Sequence, residues 1–198
     1  MNDKQQYLGQ LLKSENISTA INENIGNLIE IIPEIQSMIG FEHKHPHHHL
    51  DVWNHTMLAM SVSPNNFDIR LALLLHDIGK PHSYQEDGGF RRFHGHPDKS
   101  ADMAKEILER LDFDKEYSDK ICTAIKLHDT AIRINFLLKE PELANLIFEI
   151  QKCDVLAHNP RFNNKRLKYV DNINQMFVKL AIPQEYLAEY TTINNPEK

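Results

Sequence analysis

The sequence predicts an all-α protein with one domain. The chain has 198 residues and only seven glycines. Strict alternation of apolar and polar residues is scarce, and apolar residues recur at helical spacing through most of the chain. A chain of this length can bury one good core, so one domain is the default. We find no internal repeats and no linker, and therefore predict a single compact helical bundle over 1–198.

Two helices are predicted in the first forty residues. The first covers roughly 5–13. The second covers about 22–38, because Ile25, Leu28 and Ile32 belong to one apolar stripe. Pro33 lies inside this second helix. We expect a kink or a break there, because proline cannot donate the helical hydrogen bond.

A histidine-rich segment follows at 41–50. It contains five of the 12 histidines, which are His43, His45, His47, His48 and His49. We expect a solvated polar loop for most of them. The next helix, over 51–61, has an apolar face that includes His55, so this imidazole is predicted to point inward. A single inward histidine is more often a hydrogen-bonded core residue than a metal ligand.

The central helix is predicted over 67–78, where an apolar run ends in His76 and Asp77. Gly79 is expected to end the helix in a left-handed conformation, and Pro81 prevents its continuation. An imidazole and a carboxylate in the last turn of a buried helix are costly without partners. These two groups either form hydrogen bonds with each other and with the helix end, or they bind a ligand.

An exposed loop is predicted over 83–95, and four more helices follow. We place these helices at about 97–111, 115–127, 142–157 and 165–180. His96 lies where Ser, Thr, Asp or Asn is the usual helix cap, so it needs another explanation. His128 ends the apolar stripe of the second of these helices. Asp154 lies on the stripe of the third, although aspartate is rarely buried without a partner or a metal.

Composition excludes several classes of function. The net charge is −6, which argues against an extended nucleic-acid-binding surface, although a small anionic substrate needs only local basic groups. No apolar stretch approaches the length of a membrane span, and the N-terminus lacks the features of a signal peptide. Cys122 and Cys153 form no Cys-x-x-Cys pair, which suits a reducing compartment. We therefore expect a cytoplasmic protein.

The His-Asp dipeptide alone carries little weight. It occurs twice, at 76–77 and 128–129, and chance gives about one such pair at this composition. The positions are more informative, because several buried polar groups on separate helices are most simply satisfied by a shared divalent cation. Imidazole and carboxylate ligands without thiolate suit Mn²⁺, Fe²⁺, Co²⁺, Ni²⁺ or Zn²⁺, whereas Mg²⁺ prefers more oxygen. Such an ion supports phosphate-ester hydrolysis.

The order of these residues resembles that in HD-domain metal-dependent phosphohydrolases. Three segments are similar to the HD domain attached to bacterial CCA-adding tRNA nucleotidyltransferases: Asp51-Val-Trp-Asn-His55-Thr, His76-Asp77-Ile-Gly79-Lys80-Pro81 and Phe90-Arg-Arg-Phe-His-Gly95-His96. The similarity covers about 47–154. No Gly-Ser followed by an Asp-x-Asp pair occurs upstream. We therefore expect a free-standing HD domain with its core at about 47–157 and the terminal helices packed on it.

The resemblance implies a set of metal ligands. The family's first metal site corresponds to His55, His76, Asp77 and Asp154. Two further histidines complete a second site in two-metal members, with Asp77 bridging both ions. His96 and His128 correspond to these two, and His94 is a rival that fits the motif less well. One or two divalent ions are therefore implied, from among Mn, Fe, Co, Ni, Zn and Mg.

The resemblance also implies how the substrate is bound. Lys80 corresponds to a lysine that faces the substrate phosphate, so Lys80 and Asp77 are the implied catalytic residues. Arg91 and Arg92 are candidates for further phosphate contacts, and a solvated loop is the alternative. The basic segment that includes Arg166 is interpreted as the charged start of the last helix. We assign no role to His82, His158 or Asp129.

The implied activity is hydrolysis of a nucleotide or another small phosphomonoester or phosphodiester, including cyclic forms. One alternative is a nucleotide triphosphohydrolase or a dinucleotide hydrolase of the same superfamily. Another is a metal-bound, nucleotide-binding regulatory module without turnover. A third is that the buried polar residues are only structural. The sequence leaves the oligomeric state open.

Overall fold

A computed structural model describes residues 2–180 of the chain as a helical bundle with one small hairpin. The α-helices are α1 (Asp3–Leu12), α2 (Ile17–Ile31), α3 (Val52–Ser61), α4 (Phe67–Leu75), α5 (His96–Arg110), α6 (Lys115–Lys126), α7 (Ile134–Lys139), α8 (Pro141–Ala157) and α9 (Asn164–Lys179). The strands are β1 (Gln85–Asp87) and β2 (Phe90–Arg92). Short 3₁₀ turns cover Pro33–Ser37, Lys80–His82 and Pro160–Phe162. The all-α prediction is confirmed, and residues from 181 onward lie outside the described part.

Helix α4 is the centre of the bundle. It contacts α3, α6 and α8, and every residue from Ile69 to Leu75 is buried, as expected for a helix surrounded by others. Arg70 is the one charged residue in that buried run. Its guanidinium donates to the carbonyls of Leu12 and Ser14, both at 2.8 Å. These bonds compensate its burial and join the end of α1 to the core.

The predicted break at Pro33 is confirmed. Helix α2 ends at Ile31, and a 3₁₀ turn begins with the proline itself. The helix begins at Ile17, earlier than predicted, because the Asn16 side chain caps it by accepting a hydrogen bond from the Thr19 amide at 3.1 Å. Elsewhere the predicted helices agree with the structure within about two residues at most ends.

The end of the central helix differs from the prediction. Helix α4 stops at Leu75, and 76–79 form a turn. The predicted left-handed conformation of Gly79 is wrong, since its φ is −81°. Glycine is required there by contact instead. A Cβ atom at this position would lie 2.6 Å from the backbone nitrogen of Ser100 on α5, closer than packing permits.

The sequence prediction missed two short elements. The region predicted as an exposed loop contains the hairpin β1–β2, in which Asp87 pairs with Phe90 and Gly88 and Gly89 make the turn with positive φ. Helix α7 has six residues, and only Leu137 among them is buried. Three-residue strands and a one-sided short helix leave no periodic signal. Within residues 2–180 no helix combines the length and apolarity required for a membrane span.

Candidate metal centre

Six buried side chains from five separate parts of the chain meet beside the end of α4. They form two groups whose candidate ligand atoms lie within 4.8 Å of one another. The first ligand set is His55, His76, Asp77 and Asp154, and the second ligand set is Asp77, His96 and His128. Every residue implied as a metal ligand by the sequence therefore lies here. The rival His94 is exposed and belongs to neither set.

The first ligand set joins α3, the end of α4 and α8. Nε2 of His55 lies 2.7 Å from Oδ1 of Asp154, although 99 residues separate them. Nε2 of His76 lies 3.3 Å from Oδ2 of Asp77 and 3.7 Å from Oδ1 of Asp154. Two imidazole nitrogens thus face two carboxylates, a donor set that suits a divalent transition metal.

The second ligand set uses the other oxygen of Asp77. Its Oδ1 lies 3.3 Å from Nε2 of His96 and 3.9 Å from Nε2 of His128. The two histidine nitrogens are 3.3 Å apart. His96 begins α5, after Gly95 with a positive φ of 75°. The expectation that His96 occupies the cap position is therefore wrong, because Gly95 is the cap and His96 is the first residue of the helix. The ring of His96 points into the cluster.

Backbone carbonyls orient the four histidines. The Nδ1 atoms of His76 and His128 each lie 2.6 Å from the carbonyl oxygen three residues before them. Nδ1 of His96 lies 2.9 Å from the carbonyl of Phe93, and Nδ1 of His55 lies 3.3 Å from that of Ala157. A proton on each Nδ1 satisfies these carbonyls. In a neutral ring, the Nε2 lone pair is then directed into the cluster, as metal coordination requires.

The buried atoms fit a metal ion. Nε2 of His76 and Oδ1 of Asp77 are buried and make no hydrogen bond to the described residues, which is costly without another partner. The facing Nε2 atoms of His96 and His128 repel each other if both carry lone pairs. A divalent cation between these atoms would satisfy all of them, so the donor set fits the metal that the sequence implies.

The charges of the cluster depend strongly on one another. Burial lowers the pKa of His76, but Asp77 and Asp154 outweigh it and raise that pKa to about 10. Burial raises the pKa of Asp77, but His76 and Lys80 hold it well below its ordinary value. Burial lowers the pKa of His128 to about 4. Both carboxylates are therefore ionised at neutral pH, and His128 is neutral.

Lys80 lies inside this cluster. Its ammonium donates to Oδ2 of Asp77 at 2.7 Å and to Nε2 of His43 at 3.2 Å. Burial and the charge of Lys80 lower the pKa of His43 to about 2, so this imidazole is a neutral acceptor. Sequence reasoning gave His43 no role, and its position in a polar loop carried no signal for one.

The histidine-rich segment covers one side of the site. The expectation of a solvated loop is wrong for His43 and His48, whose rings stack at 3.7 Å next to His55. Asn159, after α8, donates through its backbone amide to the His47 carbonyl at 2.8 Å and through its side chain to the Pro46 carbonyl at 3.1 Å. The loop is therefore held against α8. His49 is exposed as predicted.

A cavity of about 430 Å³ opens over the two ligand sets. Its cationic lining includes Lys80, Arg91, Arg92 and Arg166, in a protein whose overall charge is negative. Protein partners already hold Arg91, which lies between the rings of Phe41 and Tyr84 at 4.3 and 4.8 Å and donates to the carbonyl of Glu42. Arg92 pairs with Asp87 at 3.0 Å on the exposed hairpin. Their predicted phosphate contacts stay predictions.

Three further residues at this cavity had no site role in the sequence interpretation. Asp129 lies at its edge, with Oδ2 3.6 Å from Nε2 of His96. His158 is buried, and its Nδ1 lies 2.7 Å from the Asp154 carbonyl. Arg166 was interpreted as part of a charged helix start, yet it lines the cavity. The spacing of four between Asp154 and His158 was the available signal for His158, since both lie on one helix face.

Comparison with known proteins gives one family. A family model described as HD domain matches residues 47–167, which is more than half of the chain. The chain is 30% identical over 151 residues to the CC-adding tRNA nucleotidyltransferase of Thermus thermophilus, covering 68% of this chain and 34% of that protein. It is 26% identical over 149 residues to a multifunctional CCA protein of Azoarcus, covering 69% of this chain and 33% of that protein.

A third relative also matches this chain over about a third of its own length. The chain is 32% identical over 130 residues to the A-adding tRNA nucleotidyltransferase of Deinococcus radiodurans, covering 61% of this chain and 30% of that protein. The chain thus spans about a third of the length of the curated relatives it matches. The resemblance stated from the sequence motifs is confirmed.

Proposed function

Since the chain belongs to the HD-domain family, we propose that it is a metal-dependent phosphohydrolase acting on a nucleotide or another small phosphomonoester or phosphodiester. HD domains bind divalent metals and form a superfamily of such hydrolases. One observation carries the proposal. Two sets of buried nitrogen and oxygen atoms share Asp77 at the floor of a cavity with a cationic lining.

The residues proposed to hold metal are the six of the two ligand sets. His55, His76 and Asp154 would hold one ion, His96 and His128 would hold a second, and Asp77 belongs to both sets. When bound, such an ion acidifies a ligated water and neutralises charge on a phosphoryl oxygen. The identity of the metal is left open among Mn, Fe, Co, Ni, Zn and Mg, because imidazole and carboxylate serve several of these ions.

The chain's own cations are proposed to bind and orient the phosphoryl group. Lys80 is already fixed by Asp77 and His43, so its ammonium is preorganised to stabilise negative charge near the cluster. Arg92 is more exposed, and its pair with Asp87 leaves part of its guanidinium free for a phosphate oxygen. The buried histidines and the histidine-rich loop restrict water on one side.

The proposal includes the domain organisation, the location and the partner of the protein. We infer that 1–198 contain one HD domain, that the protein is cytoplasmic, and that its partner is a small phosphorylated substrate. The tRNA nucleotidyltransferase relatives set no substrate for this chain, because the similarity covers only about a third of them. A triphosphohydrolase, a dinucleotide hydrolase and a regulatory module without turnover are the alternatives that the test below separates.

The test is a substrate screen on metal-depleted protein reloaded with one divalent ion at a time. The panel contains bis-p-nitrophenyl phosphate, nucleoside mono- and triphosphates, cyclic nucleotides, a dinucleotide and sugar phosphates. We expect release of phosphate or of an alcohol with at least one ion, and its loss when the metal is removed by a chelator. Preference for a triphosphate or a dinucleotide would select the corresponding alternative.

Two outcomes would contradict the proposal. Metal-loaded protein that binds nucleotides but turns over none of the panel favours the regulatory module. Undiminished hydrolysis by metal-free protein excludes metal-dependent chemistry. Asp119→Asn is a suitable control variant in this screen, because Asp119 lies on α6 with a half-exposed side chain paired to Lys115, away from the cavity.

A further inference from the structure

A second cavity opens beside the main cavity, and the two share one wall. The main cavity has about 430 Å³ and the side cavity about 240 Å³. Both are lined by His128, Asp129, Asp154 and Arg166. A ligand held at the two ligand sets therefore has two adjoining spaces into which its remaining atoms extend.

The two spaces differ in chemistry. The main cavity has lysine, arginine and histidine side chains on its walls. The side cavity is also lined by Lys165 and Arg166. Most of its exposed wall is nevertheless apolar, and Ala131, Val155 and the ring of Tyr169 contribute to it. Its volume equals that of roughly eight water molecules, which suits one ring system. Phosphoryl groups match the first space, and a flat, largely apolar group matches the second.

The aromatic wall of the side cavity is preformed. The Tyr169 hydroxyl accepts a hydrogen bond from the Ile132 amide and donates to Oε1 of Gln151, both at 2.9 Å. The Gln151 amide in turn donates to the Thr130 carbonyl at 2.7 Å. These bonds fix the ring before any ligand binds, so stacking on it costs little ordering.

Arg166 lies at the boundary of the two cavities. Its Nη1 is 3.9 Å from Oδ1 of Asp129 and 4.0 Å from Oδ2 of Asp154. These distances exceed those of hydrogen bonds, so the carboxylates orient the guanidinium without occupying its donors. Within the part of the chain that the structure describes, no residue accepts a hydrogen bond from this guanidinium, so its donors are suited to bidentate contact with a phosphoryl group.

We propose that the side cavity is the subsite for the ring of a nucleoside or similar aromatic phosphate ester, and that Arg166 holds the phosphoryl group at its entrance. This proposal rests on the proposed function and specifies the substrate class of that site. In this arrangement the phosphoryl group lies over the ligand sets and the ring stacks on Tyr169. Arg166 contacts the phosphoryl group and so orients the ring toward the side cavity.

The test compares adenosine 5′-monophosphate with ribose 5-phosphate, which has the same phosphorylated ribose without the base. With Mn²⁺-loaded protein we expect KM to be at least about tenfold lower for the nucleotide. Ala131 is exposed and lines both the side cavity and a neighbouring groove. We expect Ala131→Trp to occupy the side cavity and to remove most of this preference. Arg133→Trp is the matched control, because Arg133 lines a neighbouring groove, and it should retain the preference.

Arg166 is tested with inorganic phosphate. We expect Arg166→Gln to weaken phosphate binding by the Mn²⁺-loaded protein about tenfold, and Arg166→Lys to restore it in part, with metal content unchanged in both. Equal KM values for the two esters in the wild type, or a preference that survives Ala131→Trp, overturn the side cavity as a subsite. Unchanged phosphate binding in Arg166→Gln overturns the role of Arg166.

Failure of the proposed function gives a different result. The hydrolase proposal fails only if the whole substrate panel is inert. If these two esters are not hydrolysed, their dissociation constants are measured by titration calorimetry instead of KM. The subsite is still supported if the nucleotide has the lower dissociation constant in the wild type and the two dissociation constants become similar in Ala131→Trp. Equal dissociation constants reject it.

Discussion

One carboxylate oxygen of Asp77 faces His96, and its other oxygen faces His76. Oδ1 of Asp77 lies 3.3 Å from Nε2 of His96, whereas Oδ2 lies 3.3 Å from Nε2 of His76. One buried carboxylate thus joins both candidate ligand sets. The backbone turn at 76–79 makes this possible, because it places consecutive side chains of the helix end in the same cluster.

Asp77→Asn is expected to weaken both ligand sets at once. The amide keeps the size of the carboxylate but loses its charge and one acceptor oxygen. We expect metal affinity to fall by at least about 100-fold and hydrolysis to fall with it, as measured by elemental analysis and initial rates. Asp119→Asn should keep the metal content and the rate of the wild type. Equal metal content in both variants would show that Asp77 is not a ligand.

His96→Ala is expected to distinguish one ion from two. His96 and His128 face only Asp77 among the carboxylates of the two sets, so loss of His96 leaves the second set with two ligands. We predict that bound metal falls from two ions per chain to one, with the first set still loaded. The measurement is elemental analysis after dialysis. Unchanged stoichiometry would favour a mononuclear site.

Apolar periodicity made part of the site predictable from sequence. His55 and Asp154 interrupt apolar faces of helices, so their burial followed from helical spacing alone. The motifs then added His96 and Lys80. The helices themselves were predictable for the same reason, since their buried faces repeat at the helical period.

Other site residues depend on tertiary contacts that no local pattern encodes. His43 reaches Lys80 because tertiary contacts hold the histidine-rich loop in place, among them the hydrogen bonds from Asn159 to the carbonyls of His47 and Pro46. Arg166 lies at the cavity because the short turn after α8 directs α9 back across the site, whereas its sequence context is that of an ordinary solvated helix start. Gly79 was correctly singled out, but for a left-handed conformation that the structure does not contain.

Metal binding is expected to release a proton from His76. The pKa of this imidazole is about 10 in the metal-free protein, so its ring is protonated at pH 7, whereas a ligand nitrogen must be deprotonated. Asp77 and Asp154 are already ionised and release nothing. We predict release of about one proton when the first ligand set is loaded, and up to about tenfold tighter binding of that ion per pH unit from 6.5 to 8. Calorimetry in buffers of different ionisation enthalpy measures the release, and pH-independent affinity would contradict it.

Lys80→Met is expected to impair turnover while metal remains bound. Methionine keeps most of the buried stem but removes the ammonium that lies 2.7 Å from Oδ2 of Asp77. If this ammonium stabilises developing charge, kcat falls about 100-fold with metal content near that of the wild type. Lys44→Met is the control, because Lys44 pairs with Glu86 on the surface. A Lys80→Met enzyme with normal kcat would leave Lys80 only a structural role.

Gly79→Ala tests the close contact between the helix end and α5. The added Cβ would lie 2.6 Å from the backbone nitrogen and 2.9 Å from the hydroxyl of Ser100, and that hydroxyl accepts the Gly79 amide at 3.0 Å. The backbone cannot move away cheaply, so we expect the free energy of unfolding to fall by about 1–3 kcal/mol in urea titrations. Gly26→Ala is the matched control, because Gly26 lies inside α2 and no neighbouring side chain or helix comes within 4 Å of the place its Cβ would take. There alanine should stabilise the protein by up to about 1 kcal/mol.

Gly79→Ala should also weaken metal binding, because the turn that Gly79 permits sets the direction of His76 and Asp77. If both the stability and the metal affinity are unaltered, α5 moves to accommodate the methyl group and the close contact is not a constraint.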